Sequence, residues 1–292
     1  MDAAAEWRTR GDAVVLVKIG GGAAINLDAV AADMAAMPGP VVVVHGANAA
    51  RDRLAAALGK AKRVVTSVSG YTSVYSDEDA IDLLLMAYAG LQNKRIVERL
   101  QRHGRNAVGL TGLDGRMVSG IRNKGIRVRE GEKTLLLRDF SGKPSAVNES
   151  LLRLLLDHGY TPVLTVPLVD EQGFAINSEN DDVVAVLQGV LKASVVVELI
   201  EAPGLLENPD DPASVIRALD ASDLLLLEER AVGRFKRKLL ALRRLYEATN
   251  PTVVIADGRV EHPLAAALAG EGTVITGGRP PAGVPSVHGR AR

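Results

Sequence analysis

The sequence lacks cysteine altogether and is poor in aromatic residues. None of its 292 residues is a cysteine, and 3% are aromatic. The absence of cysteine excludes disulfide scaffolds, thiolate nucleophiles and cysteine-ligated zinc or iron–sulfur sites, and it fits a reducing cytoplasm. Net charge is also missing, because 35 basic residues balance 35 acidic ones. This balance argues against a protein that coats nucleic acid or an anionic membrane.

Long apolar runs are absent as well. No run approaches the roughly 20 apolar residues of a membrane-spanning helix, and residues 1–12 lack the apolar core of a signal peptide. We expect residues 1–12 to be a flexible extension. Residues 277–292 are rich in proline, glycine and arginine, so we expect a disordered tail there. The sequence therefore predicts a cytoplasmic protein without a membrane segment.

Short β-branched runs alternate with longer segments of helical periodicity. The runs predicted to be buried strands are Ala13–Ile19, Pro40–His45, Asn106–Leu110, Thr161–Val166, Ser194–Leu199 and Thr252–Ala256. The predicted helices are Leu27–Met37, Ala49–Leu58, Glu78–His103, Glu149–His158, Asp181–Leu191 and Gly233–Thr249. Because apolar strands that alternate with helices form parallel sheets covered on both faces, this pattern predicts an α/β fold with a mostly parallel sheet.

Residues 117–140 interrupt this alternation. Two short alternating segments, around Ile126–Arg129 and Thr134–Leu137, flank Glu130-Gly131-Glu132 and predict an inserted β-hairpin. Residues 113–143 hold eight basic and four acidic side chains, a net charge of +4. This segment is either a solvated charged hairpin or a docking surface for an acidic partner. RNA binding is the weaker alternative, because no aromatic residues are interleaved with the charges.

Glycines follow the first two predicted strands. Gly20, Gly21 and Gly22 end the first strand, and Gly46 with Ala47 ends the second. Since the carboxyl ends of parallel strands meet at one edge of a sheet, backbone N–H groups of both turns can approach the same anion. A tight turn alone would also explain a glycine triplet, and neither a dinucleotide-binding nor a P-loop fingerprint is present.

Charged residues accompany these turns. Lys18 lies in an otherwise apolar strand, where a buried ammonium group needs an anionic partner. The string GRFKRK at residues 233–238 begins a predicted helix, where cations oppose the helix dipole and indicate a negative group nearby. The residues from 177 to 182 (NSENDD) precede another helix, and any one of them can be a routine N-cap. Together with the glycine turns, these features predict a phosphate site.

The same residues lie in sequence strings that resemble those of the amino acid kinase family. The resemblance extends from about residue 13 to residue 276. The strings are LVKIGGG, VVVVHG, GLQNKRIVERLQ, NAVGLTGLDGR, GYTPVLTVPLV, AINSENDD, PGLL, GRFKRK and IADGRVEHPLAAALAGEGTVI. Within the family, the chain is similar to N-acetylglutamate kinase and to its relative that phosphorylates aminoadipate or glutamate on a small amino-group carrier protein. The strings GLDGR, GRFKRK and ADGRVEHP favour the carrier-linked branch.

This resemblance implies a fold and an activity. The fold would be an open αβα sandwich, with an acyl-substrate lobe over residues 13–175 and an ATP lobe over residues 176–276. The reaction would transfer the γ-phosphoryl group of ATP, accompanied by Mg²⁺, to a side-chain carboxylate and give an acyl phosphate. The implied partners are an acidic carrier protein, a small amino-acid derivative and a second copy of the chain. A kinase for a free acetylated amino acid and a non-catalytic carrier-binding homologue are the alternatives.

The resemblance also implies roles for single residues. The catalytic residues would be Lys18, Lys238 and Asp181, with the aspartate between the two lysines. The phosphate-binding residues would be Gly20, Gly21, Gly22, Gly46 and Ala47, and the acyl-substrate residues Val74 and Asn177. Contacts with the nucleotide would come from Ile200, Glu201, Gly204 and Lys236. Contacts with the carrier protein would come from Arg116, Arg122, Lys124, Arg127 and Arg129.

Three positions depart from the family pattern. Val74 stands where the family has an arginine that pairs with a substrate carboxylate, so either the substrate lacks this group, affinity is poor, or another residue such as Arg63 binds it. Ala47 replaces the second glycine of an HGG motif, which restricts backbone approach to the phosphate. Ile200 and Glu201 replace a small polar pair, which predicts altered nucleotide contacts.

Overall fold

The computed structural model describes residues 14–60, 63–66, 68, 72–130, 133–208, 210–230 and 233–277. The predicted extension over residues 1–12, Ala13, the hairpin residues 131–132 and the predicted tail beyond residue 277 lie outside the described residues. Among the described helices, each is too short or too polar to span a bilayer.

The strands are numbered along the chain. They are β1 Val15–Ile19, β2 Val41–His45, β3 Val64–Thr66, β4 Thr72–Val74, β5 Ala107–Thr111, β6 Val118–Arg122, β7 Ile126–Glu130, β8 Lys133–Leu137, β9 Gly142–Val147, β10 Thr161–Thr165, β11 Leu168–Val169, β12 Ala175–Ile176, β13 Val195–Ile200, β14 Ala218–Asp220, β15 Thr252–Asp257 and β16 Thr273–Thr276. Every predicted strand is present, and each of its ends lies within two residues of the prediction.

The α-helices are numbered in the same way. They are α1 Leu27–Ala36, α2 Asn48–Ala57, α3 Glu78–Leu84, α4 Asn93–Arg102, α5 Glu149–Asp157, α6 Asn180–Leu191, α7 Leu224–Arg230, α8 Gly233–Ala248 and α9 Pro263–Leu268. A π-helical segment, Leu85–Gln92, joins α3 to α4. The predicted helix Glu78–His103 is therefore helical along its length but changes its hydrogen-bond pattern in the middle.

The central layer is an eight-stranded sheet in the order β14-β16-β15-β13-β1-β2-β10-β5. Its neighbouring strands are parallel except for β15 and β16, which are antiparallel. This confirms the predicted α/β fold with a mostly parallel sheet. The register places Lys18 on β1 beside Glu198 on β13 and Val44 on β2.

Successive residues of each strand face opposite sides of this sheet. Val15, Val17 and Ile19 pack in one apolar cluster with α1, α4 and α9, whereas Leu16 packs in the other with α2, α6 and α8. Apolar strands buried on both faces are typical of parallel sheets that helices cover from both sides. The result is the three-layer arrangement that the sequence predicts.

Smaller sheets are added to this core. The predicted hairpin is confirmed, since β7 and β8 pair antiparallel from Ile126–Leu137 to Glu130–Lys133. A four-stranded sheet, in the order β12-β11-β6-β9, and the β3–β4 pair are not predicted from the sequence. The predicted boundary between residues 175 and 176 falls inside β12, and the division into two lobes stays a prediction.

His45 ends β2 at the edge of the sheet where the glycine turns begin. It is completely buried. Asn93 Nδ2 lies 3.1 Å from its Nε2, and the Gly46 carbonyl oxygen lies 3.1 Å from its Nδ1. Burial lowers the pKa of His45 from 6.5 to about 4. A neutral imidazole that accepts from Asn93 and donates to Gly46 satisfies both contacts.

Acid should therefore destabilise the protein through His45. His45 becomes protonated below about pH 6.5 in the unfolded chain but only near pH 4 in the folded chain. The free energy of unfolding should therefore fall as the pH drops from 6.5 to 4, by up to about 3 kcal/mol. His45→Gln should remove this part of the pH dependence in urea denaturation. The exposed His158→Gln is the matched control, and parallel pH profiles for wild type and His45→Gln would contradict the expectation.

Candidate functional site

The two glycine turns lie against each other at the carboxyl ends of β1 and β2. Gly46 N–H donates to the Ile19 carbonyl over 2.9 Å. A Cβ atom at Gly21 would lie 2.7 Å from Asn48 N and 2.8 Å from Ala47 N. These glycines are therefore needed for the close approach of two backbones, and the predicted convergence of the turns at one sheet edge is present.

The second turn leads directly into α2. Ala47 is buried and is the N-cap residue of this helix, without a side-chain capping hydrogen bond. Ala49 N–H donates to the Gly21 carbonyl over 2.9 Å, which ties the helix to the first turn. Because a helix N-terminus carries positive partial charge, this edge of the sheet favours an anion.

Four charged side chains form one cluster on the sheet face that α6 and α8 cover. Lys18 Nζ lies 2.8 Å from Asp181 Oδ1 and 3.9 Å from Glu198 Oε2. Lys238 Nζ lies 3.8 Å from Asp181 Oδ1 and contacts Glu198 Oε2 directly. Since Lys18 is 9% exposed and Glu198 3% exposed, these charges compensate one another inside the protein.

Neighbouring charges keep Lys18 and Asp181 ionised. Burial by itself lowers the pKa of Lys18, but the carboxylates of Asp181 and Glu198 outweigh it and raise that pKa above its ordinary value. Burial by itself raises the pKa of Asp181, but Lys18 and Lys238 hold it well below its ordinary value. Both groups are therefore charged at neutral pH.

Each member of the cluster comes from a different element. Lys18 and Glu198 are register neighbours on β1 and β13, Asp181 lies in the first turn of α6, and Lys238 lies on α8. A further ion pair of 3.1 Å between Arg244 and Asp182 joins α8 to α6. The structure thus brings together the three residues predicted to be catalytic.

Sequence reasoning missed Glu198. The signal that pointed to Lys18 was also available here, because Glu198 is the single charged residue of the apolar strand VVVELI. What the sequence does not provide is the strand order that places this carboxylate beside Lys18.

Glu201 lies over the first glycine turn. Its Oε1 accepts a hydrogen bond from Ala24 N–H, and a Cβ atom at Gly22 would overlap its carboxylate. An exposed side-chain anion therefore covers a turn that is predicted to bind phosphate. The side chain that covers the turn belongs to Glu201, one of the residues that depart from the family pattern.

The other predicted nucleotide residues come from three different segments. The Ile200 carbonyl accepts from Gly258 N–H over 2.7 Å at the end of β13. Gly204 is buried, and a Cβ there would lie 2.7 Å from Thr273 Oγ1. Lys236 is exposed on α8. Gly204 thus has a packing reason to be glycine, and the nucleotide contacts stay predictions.

Asn177 lines a cavity of about 280 Å³. Its Nδ2 donates to Ser76 Oγ over 3.1 Å, and its backbone N–H donates to the Phe140 carbonyl over 2.7 Å. Val74, the other predicted substrate residue, ends β4 and pairs with Val64 of β3. Arg51 of α2, the helix that follows the second glycine turn, lines the same cavity as Asn177, and the substrate contacts stay predictions.

Three of the residues predicted to bind a carrier protein are exposed on or beside the β7–β8 hairpin. They are Lys124, Arg127 and Arg129. None of them forms an ion pair with a side chain that the structure describes. The alternation of Ile126 and Val128 with the two arginines turns the charges of β7 to one side.

The remaining two predicted carrier residues have partners of their own. The Arg122 guanidinium lies 3.9 Å from the centre of the Phe140 ring, and its Nε donates to the Asp139 carbonyl over 3.0 Å. Arg116 Nη2 donates to the Asp170 carbonyl over 3.2 Å. These two arginines stabilise local structure, whatever else they bind.

Comparison with known proteins places this site in a family context. A family model described as the amino acid kinase family matches residues 13–257. The chain is 42% identical over 267 residues to the LysW-aminoadipate kinase of Deinococcus radiodurans, covering 90% of this chain and 91% of that protein. It is 32% identical over 262 residues to the acetylglutamate kinase of Methanopyrus kandleri, covering 89% and 99%.

A solved structure supports the fold. The N-acetylglutamate synthase from Neisseria gonorrhoeae, complexed with coenzyme A and N-acetylglutamate, matches with a TM-score of 0.73 and 22% identity over 94% of this chain. The chain spans about 62% of the length of that synthase. At this identity the likeness concerns the fold alone.

Removal of the Glu198 carboxylate should leave one carboxylate between the buried ammonium group of Lys18 and the half-buried ammonium group of Lys238. We expect Glu198→Gln to lower the free energy of unfolding by about 3 kcal/mol, because a buried charge loses its partner. Glu149→Gln removes the partner of Arg153 in an exposed pair and should cost less than about 0.5 kcal/mol. Urea denaturation of both variants checks this, and equally small effects would contradict it.

Proposed function

The chain belongs to the amino acid kinase family and is an ATP-dependent carboxylate kinase, and we propose that its acceptor is held on a small acidic amino-group carrier protein. The acceptor group is the side-chain carboxylate of an amino acid of the glutamate or aminoadipate type, and the product is an acyl phosphate. The observation that carries this proposal is the cluster in which Lys18 and Lys238 share Asp181, beside two converging glycine turns.

Phosphoryl transfer requires alignment and charge stabilisation rather than covalent chemistry by the protein. Lys18 and Lys238 would stabilise charge on the phosphoryl oxygens from the acceptor side and the ATP side, respectively. An ammonium group has three N–H donors, so each lysine can bind phosphate and keep its carboxylate partner. Asp181 reduces the repulsion between the lysines and holds their positions. The attacking carboxylate is already ionised at pH 7, so no general base is needed.

Backbone groups complete the phosphate site. Gly21 and Gly46 would present N–H groups to the transferred phosphoryl, and the N-terminus of α2 after Ala47 adds its positive partial charge. Mg²⁺ neutralises phosphate charge when it binds with ATP. The two carboxylates of the cluster already contact lysines, so phosphate oxygens would supply most ligands of the ion.

Glu201 must leave the first turn when phosphates approach it. Its carboxylate covers Gly22 and has the same sign of charge as the nucleotide. As an exposed side chain it can rotate into solvent. The remaining nucleotide contacts, from Ile200, Gly204 and Lys236, are part of the proposal.

Loss of either lysine should abolish most of the activity. We expect Lys18→Ala and Lys238→Ala to lower kcat by at least about 100-fold with a modest change in KM, because both act on charge that develops in the transition state. Trapping of the acyl phosphate as a hydroxamate measures this. Lys192→Ala, at an exposed helix end, is the control. Near wild-type turnover in either variant would overturn the assignment.

The hairpin supports the carrier as partner. Lys124, Arg127 and Arg129 are exposed without ion pairs to described side chains, and Leu136 on the paired strand is 61% exposed. Exposed cations beside an apolar side chain suit an acidic protein surface. The relative from Deinococcus radiodurans is named for a LysW-linked substrate, which supports the same partner class.

Carrier binding should therefore weaken as salt screens the charges. We expect the association rate to fall severalfold between 50 and 300 mM salt, and Arg127→Glu with Arg129→Glu to remove most of this salt dependence. Stopped-flow binding measures it. Arg95→Glu on α4 also makes the net charge more negative, but away from the hairpin, and serves as the control. A rate that does not depend on salt would contradict hairpin docking.

A second candidate is a kinase for a free N-acetylated amino acid, favoured by the 32% identity to an acetylglutamate kinase. Hydroxamate assays with free and carrier-bound acceptors separate the two activities. A protein that binds carrier but consumes no ATP would favour a non-catalytic role. We also propose a homodimer, since Met86 and Leu91 are exposed on the segment that joins α3 to α4.

A further inference from the structure

Glu198 is the member of the four-charge cluster to which the proposed reaction assigns no role. It lies on β13 in the middle of the central sheet and is 3% exposed. Its register neighbours are Lys18 on β1 and Ile255 on β15. Since isoleucine has no charge to offer and a buried carboxylate needs a cationic partner, the lysines of the cluster stabilise Glu198. The same contacts also act on the lysines.

The contact distances divide the cluster into two close pairs. Lys18 Nζ is hydrogen-bonded to Asp181 Oδ1 over 2.8 Å but lies 3.9 Å from Glu198 Oε2. Lys238 Nζ donates directly to Glu198 Oε2 but lies 3.8 Å from Asp181 Oδ1. A hydrogen bond from nitrogen to oxygen spans about 2.7–3.2 Å, so the two longer distances are attraction between charges without a hydrogen bond. Asp181 therefore holds Lys18, and Glu198 holds Lys238.

The Lys238 ammonium group needs such a partner to have a defined position. Leu239, Leu242 and Leu245 of α8 are buried in the core and fix the backbone of the helix. The half-buried side chain of Lys238 is a flexible four-carbon stem, so a fixed backbone alone leaves its end free to move. A carboxylate on a buried strand of the central sheet is a rigid point of attachment. Contact with Glu198 thus determines where the ammonium group lies.

We propose that Glu198 is a positioning residue for phosphoryl transfer, which holds the Lys238 ammonium group in place on the ATP side as Asp181 holds that of Lys18. This inference rests on the roles proposed for the two lysines. An ammonium group has three N–H donors, so a hydrogen bond to Glu198 leaves two for phosphate oxygens. A cation already in position stabilises the developing charge without reorganisation, whereas a shift of about 1 Å can lower the rate about 100-fold.

A role in charge balance alone would have a different effect. If Glu198 only compensated the charge of the lysines, its loss would destabilise the fold and lower the number of folded molecules, but each folded molecule would keep its turnover rate. If Glu198 positions Lys238, each folded molecule turns over more slowly. Turnover per folded molecule therefore separates the two roles.

Two substitutions separate the contact from the charge. Glu198→Gln keeps an oxygen acceptor for Lys238 without the charge, and Glu198→Leu removes both. Hydroxamate trapping measures turnover at saturating ATP, with whichever of carrier-linked aminoadipate, carrier-linked glutamate and N-acetylglutamate the wild type phosphorylates. Circular dichroism gives the folded fraction.

Per folded molecule, we expect kcat to fall about 10-fold in Glu198→Gln and about 100-fold in Glu198→Leu, because the ammonium group loses its fixed position. KM for the acceptor should change less than about twofold, since Lys238 acts on the transferred phosphoryl group and not on the acceptor. Wild-type kcat per folded molecule in both variants would overturn the proposal.

Glu228→Gln is the matched control. Glu228 of α7 is partly buried, and its Oε2 accepts from Arg243 Nε of α8 over 2.9 Å. The substitution therefore removes a second carboxylate that pairs with α8, but one whose partner is Arg243 and not a lysine of the cluster. It should lower stability and leave kcat per folded molecule within about twofold of wild type.

A double-mutant cycle tests whether Glu198 acts through Lys238. The cycle compares wild type, Glu198→Gln, Lys238→Ala and the double variant. Once Lys238 is gone there is no ammonium group left to position, so Glu198→Gln should lower kcat less than about twofold further in the Lys238→Ala background. Losses that multiply in the double variant would show that Glu198 acts by another route and would contradict the proposal.

The position of Lys238 can also be measured without turnover. Acetic anhydride acylates accessible amines, and mass spectrometry of peptides gives the rate at each lysine. We expect Lys238 to be acylated severalfold faster in both Glu198 variants than in wild type, because its side chain is no longer held against β13. The exposed Lys192 is the internal control and should react at the same rate in all three proteins.

These outcomes distinguish the inference from the proposed function. If Lys238→Ala turns over slowly but both Glu198 variants keep the wild-type kcat, the inference fails and the proposed role of Lys238 stands. If Lys238→Ala turns over at nearly the wild-type rate, the proposed role of Lys238 fails, while faster acylation in the Glu198 variants still supports the placement of Lys238 by Glu198. If Glu198→Leu does not fold, Glu198→Gln and the cycle decide.

Discussion

The structure depends on the burial of one ammonium group in the middle of a parallel sheet. Lys18 has apolar neighbours along β1, and its own burial disfavours its charge. Only carboxylates close by make that position tolerable, and they come from β13 and from the first turn of α6. The pairing of β1 with β13 and the packing of α6 on the sheet are therefore also electrostatic requirements. Fold and candidate site depend on the same contacts.

The cluster around Lys18 contains equal numbers of ammonium and carboxylate groups. Such a neutral set holds its members in place, because no side chain gains by turning towards solvent. A phosphate that enters it makes the total negative, and the N-terminus of α2 and the glycine turns lie where they can offset that excess. Glu201 adds a further negative charge over Gly22. In the proposed reaction, phosphate would therefore compete with a side chain as well as with water.

Much of the fold is predictable because its signals are local. Runs such as VVVVH and periodic segments such as α5 define elements within ten residues, and the alternation around Ile126 and Val128 defines a hairpin. The strands β11, β12, β14 and β16 are two to four residues long, and the partner of β14 lies more than 50 residues away in the sequence. Nothing within so short a segment distinguishes it from a loop. The π-helical segment lies inside a stretch that the sequence predicts as one helix, and nothing in its residues indicates the change of hydrogen-bond pattern.

The candidate site is also predictable only where its signals are local. Lys18 stands out as a charge in an apolar strand, and Lys238 belongs to a basic string at the start of a helix. Asp181 occupies a place where an acid is ordinary, so only the resemblance to the family singles it out. Glu198 stands out by the same rule as Lys18, yet its function depends on strand order. Gly21 illustrates the opposite case. The sequence predicts that its backbone approaches a ligand, but it does not reveal that the neighbouring turn packs so closely that a side chain at Gly21 would not fit.

A net charge of zero is compatible with anionic partners because the positive charges occur in two kinds of setting. Cations on the hairpin are exposed, so their field reaches about a Debye length, some 8–10 Å, into solvent and can attract a protein. The ammonium group of Lys18 is buried, that of Lys238 is half-buried, and both are paired, so they act only on what touches them.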